Sequence, residues 1–196
     1  MTTPNTQATA GDDDEIEAAR SAGDRDRALT LLMARHGDDV YRFAIAMTRD
    51  RDLAEEVRQQ VFVEVYRDLG NLAASASVPC WIFGIARHRC LDAVSARRRW
   101  HQRYKNAPPE DPESADDHAD RGLDRVRLSR ALAACLAKLA PAAREAVVLR
   151  YQHELSYDEA AAIAGDLPGT VRRRVARALP VLRRYLEAAL HRDGSR

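Results

Sequence analysis

Apolar residues along this chain recur at three- and four-residue steps, a spacing that lines one face of a helix. After Asp24, which is suited to an N-cap, Ala28, Leu29, Leu32 and Met33 predict a helix that stops near Gly37. Val40, Phe43, Ala44 and Met47 predict a second, ending in the polar turn Thr48-Arg49-Asp50-Arg51. Asp52 and Glu55 stand at capping-box spacing before a third. In it Leu53, Val57, Val61 and Val65, with Phe62 beside them, form one apolar face, and Glu55, Glu56, Arg58, Gln59 and Glu64 form the other. That polar face is either a solvated surface or a docking surface. Gly70 closes the helix, and a small-residue loop over 71–78 leads to Pro79, placed where a first turn tolerates proline.

Residues 81–104 predict one long helix that begins aromatic and ends basic. Ile82, Ala86, Cys90 and Ala93 make its apolar stripe, and Trp81, Ile85, His88 and Asp92 fall roughly opposite. A ring set away from the core beside Arg87 and Arg89, followed by Arg97, Arg98 and Arg99, suits single-stranded or melting nucleic acid. A core tryptophan followed by a solvated charge run fits the same periodicity.

From 106 to 124 the pattern stops: Pro108, Pro109 and Pro112 are mixed with Glu110, Asp111, Glu113, Asp116, Asp117 and Asp120. Too little apolar surface is available there to offset chain entropy, which predicts a flexible acidic linker. Periodicity resumes at Val126 with Leu128, Leu132, Cys135, Leu136 and Leu139. Pro141 opens a further helix, with Val147, Val148 and Tyr151 inward and Arg144 and Glu145 outward. Ser156-Tyr157-Asp158-Glu159 is a full capping box before a short helix, and residues 165–169 form a turn. The helix after it carries Val171, Val175, Ala178 and Leu182 on one side and Arg173 and Arg177 nearly opposite, flanked by Arg172 and Arg174. This fits a helix-turn-helix whose second member enters a major groove, or a plain hairpin with a basic face. Pro180 is expected to kink or end that helix soon after Arg177.

Composition sharpens the class. The 196 residues are 45% hydrophobic with few aromatics, which supports an all-α chain with packed cores. A net charge of +1 hides the segregation of acidic and basic stretches. Three cysteines, Cys80, Cys90 and Cys135, include no C-x-x-C pair, so reduced thiols are expected and neither a disulfide framework nor a zinc site. The acidic start carries the wrong charge for a signal peptide, and no apolar run approaches spanning length, so a cytoplasmic location without membrane attachment is expected.

Read together, these motifs resemble the bacterial extracytoplasmic-function (ECF) sigma factors of RNA polymerase. Residues 54–62, Ala-Glu-Glu-Val-Arg-Gln-Gln-Val-Phe, are similar to the family's A-E-D-x-x-Q-x-x-F helix. Trp-Ile-Phe-Gly-Ile-Ala-Arg at 81–87, Leu91-Asp92 and Arg97-Arg98-Arg99 are similar to its −10 helix. Residues 139–145, 155–161 and 169–174 are similar to L-P-x-x-x-R-E, L-S-Y-x-E-I-A and G-T-V-x-x-R of its −35 reader.

The resemblance implies two small helical domains, sigma region 2 over 24–105 and region 4 over 126–190. They lie between an acidic N-terminal tail (1–23), the linker (106–125) and a short C-terminal tail (191–196). It implies docking on core RNA polymerase, the β′ clamp and the β subunit, through Glu55, Glu56, Gln59, Gln60 and Phe62. It implies −10 contacts by Asn71, Leu72, Ser75, Ser77, Trp81, Arg87, His88, Arg97, Arg98 and Arg99, and −35 contacts by Thr170, Arg172, Arg173, Arg174 and Arg177. Promoter DNA and an anti-sigma factor are the further partners, and no cofactor is implied. Two other readings use the same residues: a helix-turn-helix regulator that works without polymerase, and a sigma-like decoy for an anti-sigma factor. Catalysis has no support, since the six histidines are scattered and no triad, metal spacing or phosphate loop appears.

Overall fold

The computed structural model describes residues 10–72, 77–104 and 131–193, with side chains from 14 to 188 within those ranges. The expected linker, residues 1–9 of the expected tail, Leu128 and Ser75 lie outside them.

Eight α-helices make up the described chain: α1 (Ala10–Ser21), α2 (Arg25–Thr48), α3 (Arg51–Asp68), α4 (Val78–Arg103), α5 (131–137), α6 (Pro141–Val147), α7 (Tyr157–Ala164) and α8 (Pro168–Asp193). Helices α1 to α4 form the first lobe. Leu32, Val40, Phe43, Val57, Val61, Val65 and Ile82 are fully buried there, each contributing roughly 1.5–3 kcal/mol of apolar burial. Residues 10–21, within the expected acidic tail, form a helix docked on α2 by the buried Ile16 and Ala19. The Arg20 guanidinium reaches across to the Leu72 carbonyl.

Local sequence misjudged several boundaries. Gly37 does not stop a helix but lies buried inside α2; packing of Leu32 and Val40 on either side outweighs a glycine's cost of about 1 kcal/mol. The cap of α3 is Asp50, whose side chain accepts from Leu53 N at 2.9 Å, and Asp52 falls in the first turn. Arg49, in the left-handed region at φ 60°, makes the reversal that brings Asp50 there. Ser77 caps α4 by accepting from Cys80 N, with Pro79 in the first turn as expected.

The second lobe is α5 to α8, and it packs against the first. Buried residues of both lobes form one continuous core, with α6 on α2 and α7 on α4. This overturns the expected outward placement of Arg144 and Glu145, which are 6% and 5% exposed. Arg144 donates to the Ala46 carbonyl at 3.2 Å and Glu145 accepts from Arg87. Of the stripe expected inward, Val147 and Val148 are buried, whereas Tyr151 is 54% exposed. A wide turn, Val148–Gln152, follows α6, closed by His153 N to Val148 O at 3.2 Å. Glu154 at φ 56° then redirects the chain. The result is a His153 ring between Phe43 and Phe83, at centroid distances of 6.0 and 4.3 Å. On α5, Cys135 is buried as expected whereas Leu132 is 44% exposed.

Helix α8 continues through Pro180 to Asp193, against the expected break. Pro180 faces water, while Ala178 and Leu182 are buried on either side of it. The lost backbone bond is therefore on the solvated side, and packing holds the helix across it.

Candidate polymerase and nucleic-acid surfaces

The polar face of α3 is organised by its own spacing. Glu55 accepts from Arg58 at 2.6 Å and from Gln59 at 3.2 Å, and Glu56 accepts from Gln60 at 3.0 Å. The Arg58 hydrogen bond holds the Glu55 carboxyl below its ordinary range, so this surface stays anionic at neutral pH. Phe62 is buried beside it and forms part of an apolar groove between α2 and α3 of about 480 Å³. Leu29, Met33, Val63 and Tyr66 line the same groove. The sequence reading missed these four, because apolar residues at helical spacing read as core. Val63 at 71% and Met33 at 46% exposed are the signal, and it is visible only in three dimensions.

The candidate residues before and along α4 are placed unequally. Asn71 and Ser77 are exposed and Leu72 is half-buried. Trp81 is not stranded in solvent as the wheel implied: it packs in part against the core, as does Ile85. The Glu159 carboxyl of α7 stands at the Cys80 thiol one residue before it. His88 is 68% exposed, 3.5 Å from Asp92. Arg87 is drawn sideways into the ion pair with Glu145, and Arg97 into one with Asp50 while also donating to His101 at 3.3 Å. Arg98 and Arg99 are exposed and make no ion pair among the described residues. Farther back, burial pushes the Cys90 thiol up to about 12, with the Glu145 charge adding to it, which fits a core thiol and not a reactive one.

The second lobe shows a helix-turn-helix built as its residues require. Ser156 Oγ accepts from Glu159 N at 3.2 Å, and Glu159 accepts from Ser156 N at 2.8 Å, completing the capping box that starts α7. Gly165 ends α7 at φ 68°, a conformation an L side chain rarely adopts. Pro168 opens α8. Val171, Val175 and Ala178 face α7 and α6, which leaves Arg172, Arg173 and Arg177 exposed on the outer face. Their states differ. Arg173 donates to Thr170 Oγ1 at 3.2 Å, Arg172 lies 5.0 Å over the Tyr157 ring, and Arg174 is held half-buried against Asp166. Arg177 makes no polar contact among the described residues. One guanidinium of the five-residue set is thus oriented from its own helix, one is held over α7, one is tied to the turn, and one is available as it stands.

Among the described residues no helix is long and apolar enough to cross a membrane, and no group of His, Cys, Asp and Glu has the geometry to hold a metal ion.

Comparison with known proteins agrees with this geometry. Residues 32–100 match the family model for Sigma-70 region 2 and residues 129–179 that for Sigma-70 region 4. The ECF RNA polymerase sigma factor SigC of Mycobacterium tuberculosis is 33% identical over 177 residues, 89% of this chain and 93% of that protein. SigE of Mycolicibacterium smegmatis is 34% identical over 160 residues, 79% of this chain and 60% of that protein. Among solved structures, the sigma factor RpoE bound to the anti-sigma factor NepR of Bartonella quintana shares the fold. It has a TM-score of 0.68 and 24% identity over 79% of this chain and 94% of that one. CnrH in complex with the cytosolic domain of CnrY gives a TM-score of 0.63 and 26% identity, covering 90% and 97%. Helices of both lobes, their motifs and these relatives agree, and the chain belongs to the ECF sigma factors of RNA polymerase.

Proposed function

We propose that the chain binds core RNA polymerase through Glu55, Glu56, Gln59, Gln60 and Phe62 on α3, at the β′ clamp, with the second lobe on the β subunit. It then directs the enzyme to promoters with a −10 and a −35 element. The loop over 71–78 with Trp81, Arg87, His88 and Arg97 to Arg99 takes the −10 element, holding a non-template strand and an unstacked base. Opening a base costs a few kcal/mol, which stacking and phosphate contacts offset in part and polymerase binding completes. Thr170, Arg172, Arg173, Arg174 and Arg177 take the −35 major groove, some on base edges and others on phosphates. The protein acts in the bacterial cytoplasm by binding, without chemistry of its own. An anti-sigma factor covering the α3 face and the basic second lobe holds it inactive; the two structural relatives are themselves in complexes, RpoE with the anti-sigma factor NepR and CnrH with the cytosolic domain of CnrY.

The observation that carries this reading is the α7–α8 pair, where a complete capping box and a left-handed glycine set Arg173 and Arg177 outward on one face. Transcription in vitro with purified core polymerase, with and without this chain, tests it. Initiation at a specific promoter only when the chain is present is the expected result. Arg173→Ala with Arg177→Ala abolishes −35-dependent initiation and leaves co-purification with polymerase intact. Normal initiation by that double variant would remove the −35 assignment. Changes at Glu56 and Gln59 weaken co-purification, and full retention there would remove the docking assignment.

A further inference from the structure

Helix α1 reaches the start of the loop that precedes α4. Gly23, in the left-handed region at φ 75°, reverses the chain after α1, and α1 then packs on α2 through the buried Ile16 and Ala19. Arg20 follows them with its side chain only 14% exposed. Every nitrogen of its guanidinium has an acceptor. Nε and Nη2 donate to the two Glu17 carboxylate oxygens at 2.9 and 3.0 Å, and Nη1 donates to the Leu72 carbonyl. Ser21 Oγ donates to the same carboxylate at 3.3 Å. The Arg20 hydrogen bond holds the Glu17 carboxyl below its ordinary range, so the pair stays charged at neutral pH.

What Arg20 grips is the stem of that loop. Leu69–Asn71 is a single turn of 3-10 helix after α3, and Leu72 leaves it in extended conformation, at φ −67° and ψ 119°. A second arginine converges on the same turn, since a Cβ added at Gly70 would stand 3.0 Å from Arg25 Nη2. At the other end of the loop Ser77 caps α4. The chain is therefore held on both sides, at Leu72 by a charge-assisted bond from α1 and at Ser77 by its bond to the Cys80 N–H. A planar fork already pinned on Glu17 has little freedom left, which makes its contact with Leu72 a fixed point. Ile16 and Ala19 already dock α1, so the bond to Leu72 adds something else: it sets where the loop begins.

We propose that Arg20, oriented by Glu17, is a positioning residue for −10 recognition, fixing the stem from which Asn71 and Leu72 are presented to the non-template strand. This rests on reading the loop over 71–78 as a −10 contact, and it brings in α1, which carries none of the assigned DNA contacts. Arg20 itself touches no DNA. It holds the backbone at Leu72 before a strand arrives, so that placing Asn71 and Leu72 is not a cost of each binding event. The effect falls on discrimination between −10 sequences. Polymerase docking on α3 and −35 reading on α8 do not depend on it, because the groups that Arg20 bonds are Glu17 and Leu72.

Two measurements test it. With holoenzyme reconstituted from core polymerase and the full chain, initiation is compared on a promoter that the wild type uses and on templates with single-base changes in its −10 element. Arg20→Ala is expected to lower the preference for the unaltered −10 element about tenfold, the scale of one hydrogen bond to a charged group. Co-purification with polymerase and the response to −35 changes stay as in the wild type. Arg20→Lys, which keeps the charge and lacks the fork, falls between the two. Unchanged −10 preference in Arg20→Ala overturns the proposal. So does an equal loss on every template together with lost co-purification, which would make Arg20 a folding residue only. Hydrogen exchange of the free chain reads the anchor without any promoter: Arg20→Ala is expected to speed exchange of amides 69–72 about tenfold while those of α3 stay protected. Unchanged exchange at 69–72 overturns the anchor. A wild-type chain that never initiates refutes the sigma reading and the −10 role with it, whereas the exchange result still decides whether Arg20 holds the stem.

Discussion

His153 shows how much one side chain depends on its surroundings. Its side chain is 1% exposed, neither ring nitrogen makes a hydrogen bond among the described residues, and Asp39 is 3.8 Å away. Burial lowers its pKa from the ordinary 6.5 to about 4, opposed by Asp39 and assisted by Arg42. The folded protein therefore holds the ring neutral where the unfolded chain protonates it. Stability present above pH 6.5 is lost as pH falls toward 4, by roughly 3 kcal/mol at one pKa unit per 1.36 kcal/mol. Glu145 acts in the opposite sense: burial raises its pKa despite the Arg87 charge, so its contribution grows as pH falls. Urea unfolding at pH 7.5 and pH 4.5 checks the histidine, with His153→Leu as the control that isolates it. The wild type should lose more stability than the variant between the two values, and parallel losses would contradict the assignment.

Among the elements, α8 carries the largest conflict between a local rule and the observed structure. Proline inside a helix costs about 3 kcal/mol where the lost bond and ring clash are not relieved. Pro180 sits on the solvated side between the buried Ala178 and Leu182, so the helix survives and the cost is still present. Pro180→Ala is expected to raise stability by about 1–3 kcal/mol in denaturant melts without altering −35-dependent initiation, because Arg173 and Arg177 precede it. By contrast, α7 agrees with its local rules at every step, from the Ser156–Glu159 box to Gly165. Agreement of that kind is why the helix-turn-helix was legible without coordinates, since capping and left-handed turns depend on residues within one turn of each other. The apolar groove at Phe62 was not legible, because it is made by α2 and α3 jointly.

For the whole molecule, the packing of one lobe on the other is the feature with most consequence. Arg87 to Glu145, Arg144 to Ala46 and the His153 ring all cross the boundary. A globular chain of this length has a radius of gyration of about 16 Å, whereas sites at −35 and −10 are separated by roughly 85 Å of duplex at 3.4 Å per base pair. Spanning both, as proposed, requires the lobes to part. Glu145→Arg, which sets a third cation beside Arg87 and Arg174, is expected to open the chain and increase the radius of gyration by several ångströms in small-angle X-ray scattering. An unchanged scattering curve for a folded variant would show that this ion pair does not hold the lobes together.

Periodicity, capping signals and charge segregation alone determined that the chain is helical, where most helices begin, and which stretches carry arginines. These depend on contacts within a few residues. Tertiary structure decided that Arg144 and Glu145 are buried, that Trp81 is half-covered, and that Arg87 and Arg97 meet carboxylates before any phosphate. Those outcomes depend on which helix faces which, and a wheel drawn for one helix contains no information about its neighbours. The basic helix at 81–104 was visible in the sequence, whereas the division of its arginines into tied and free was set only when the second lobe and the Asp50 cap came to rest against it.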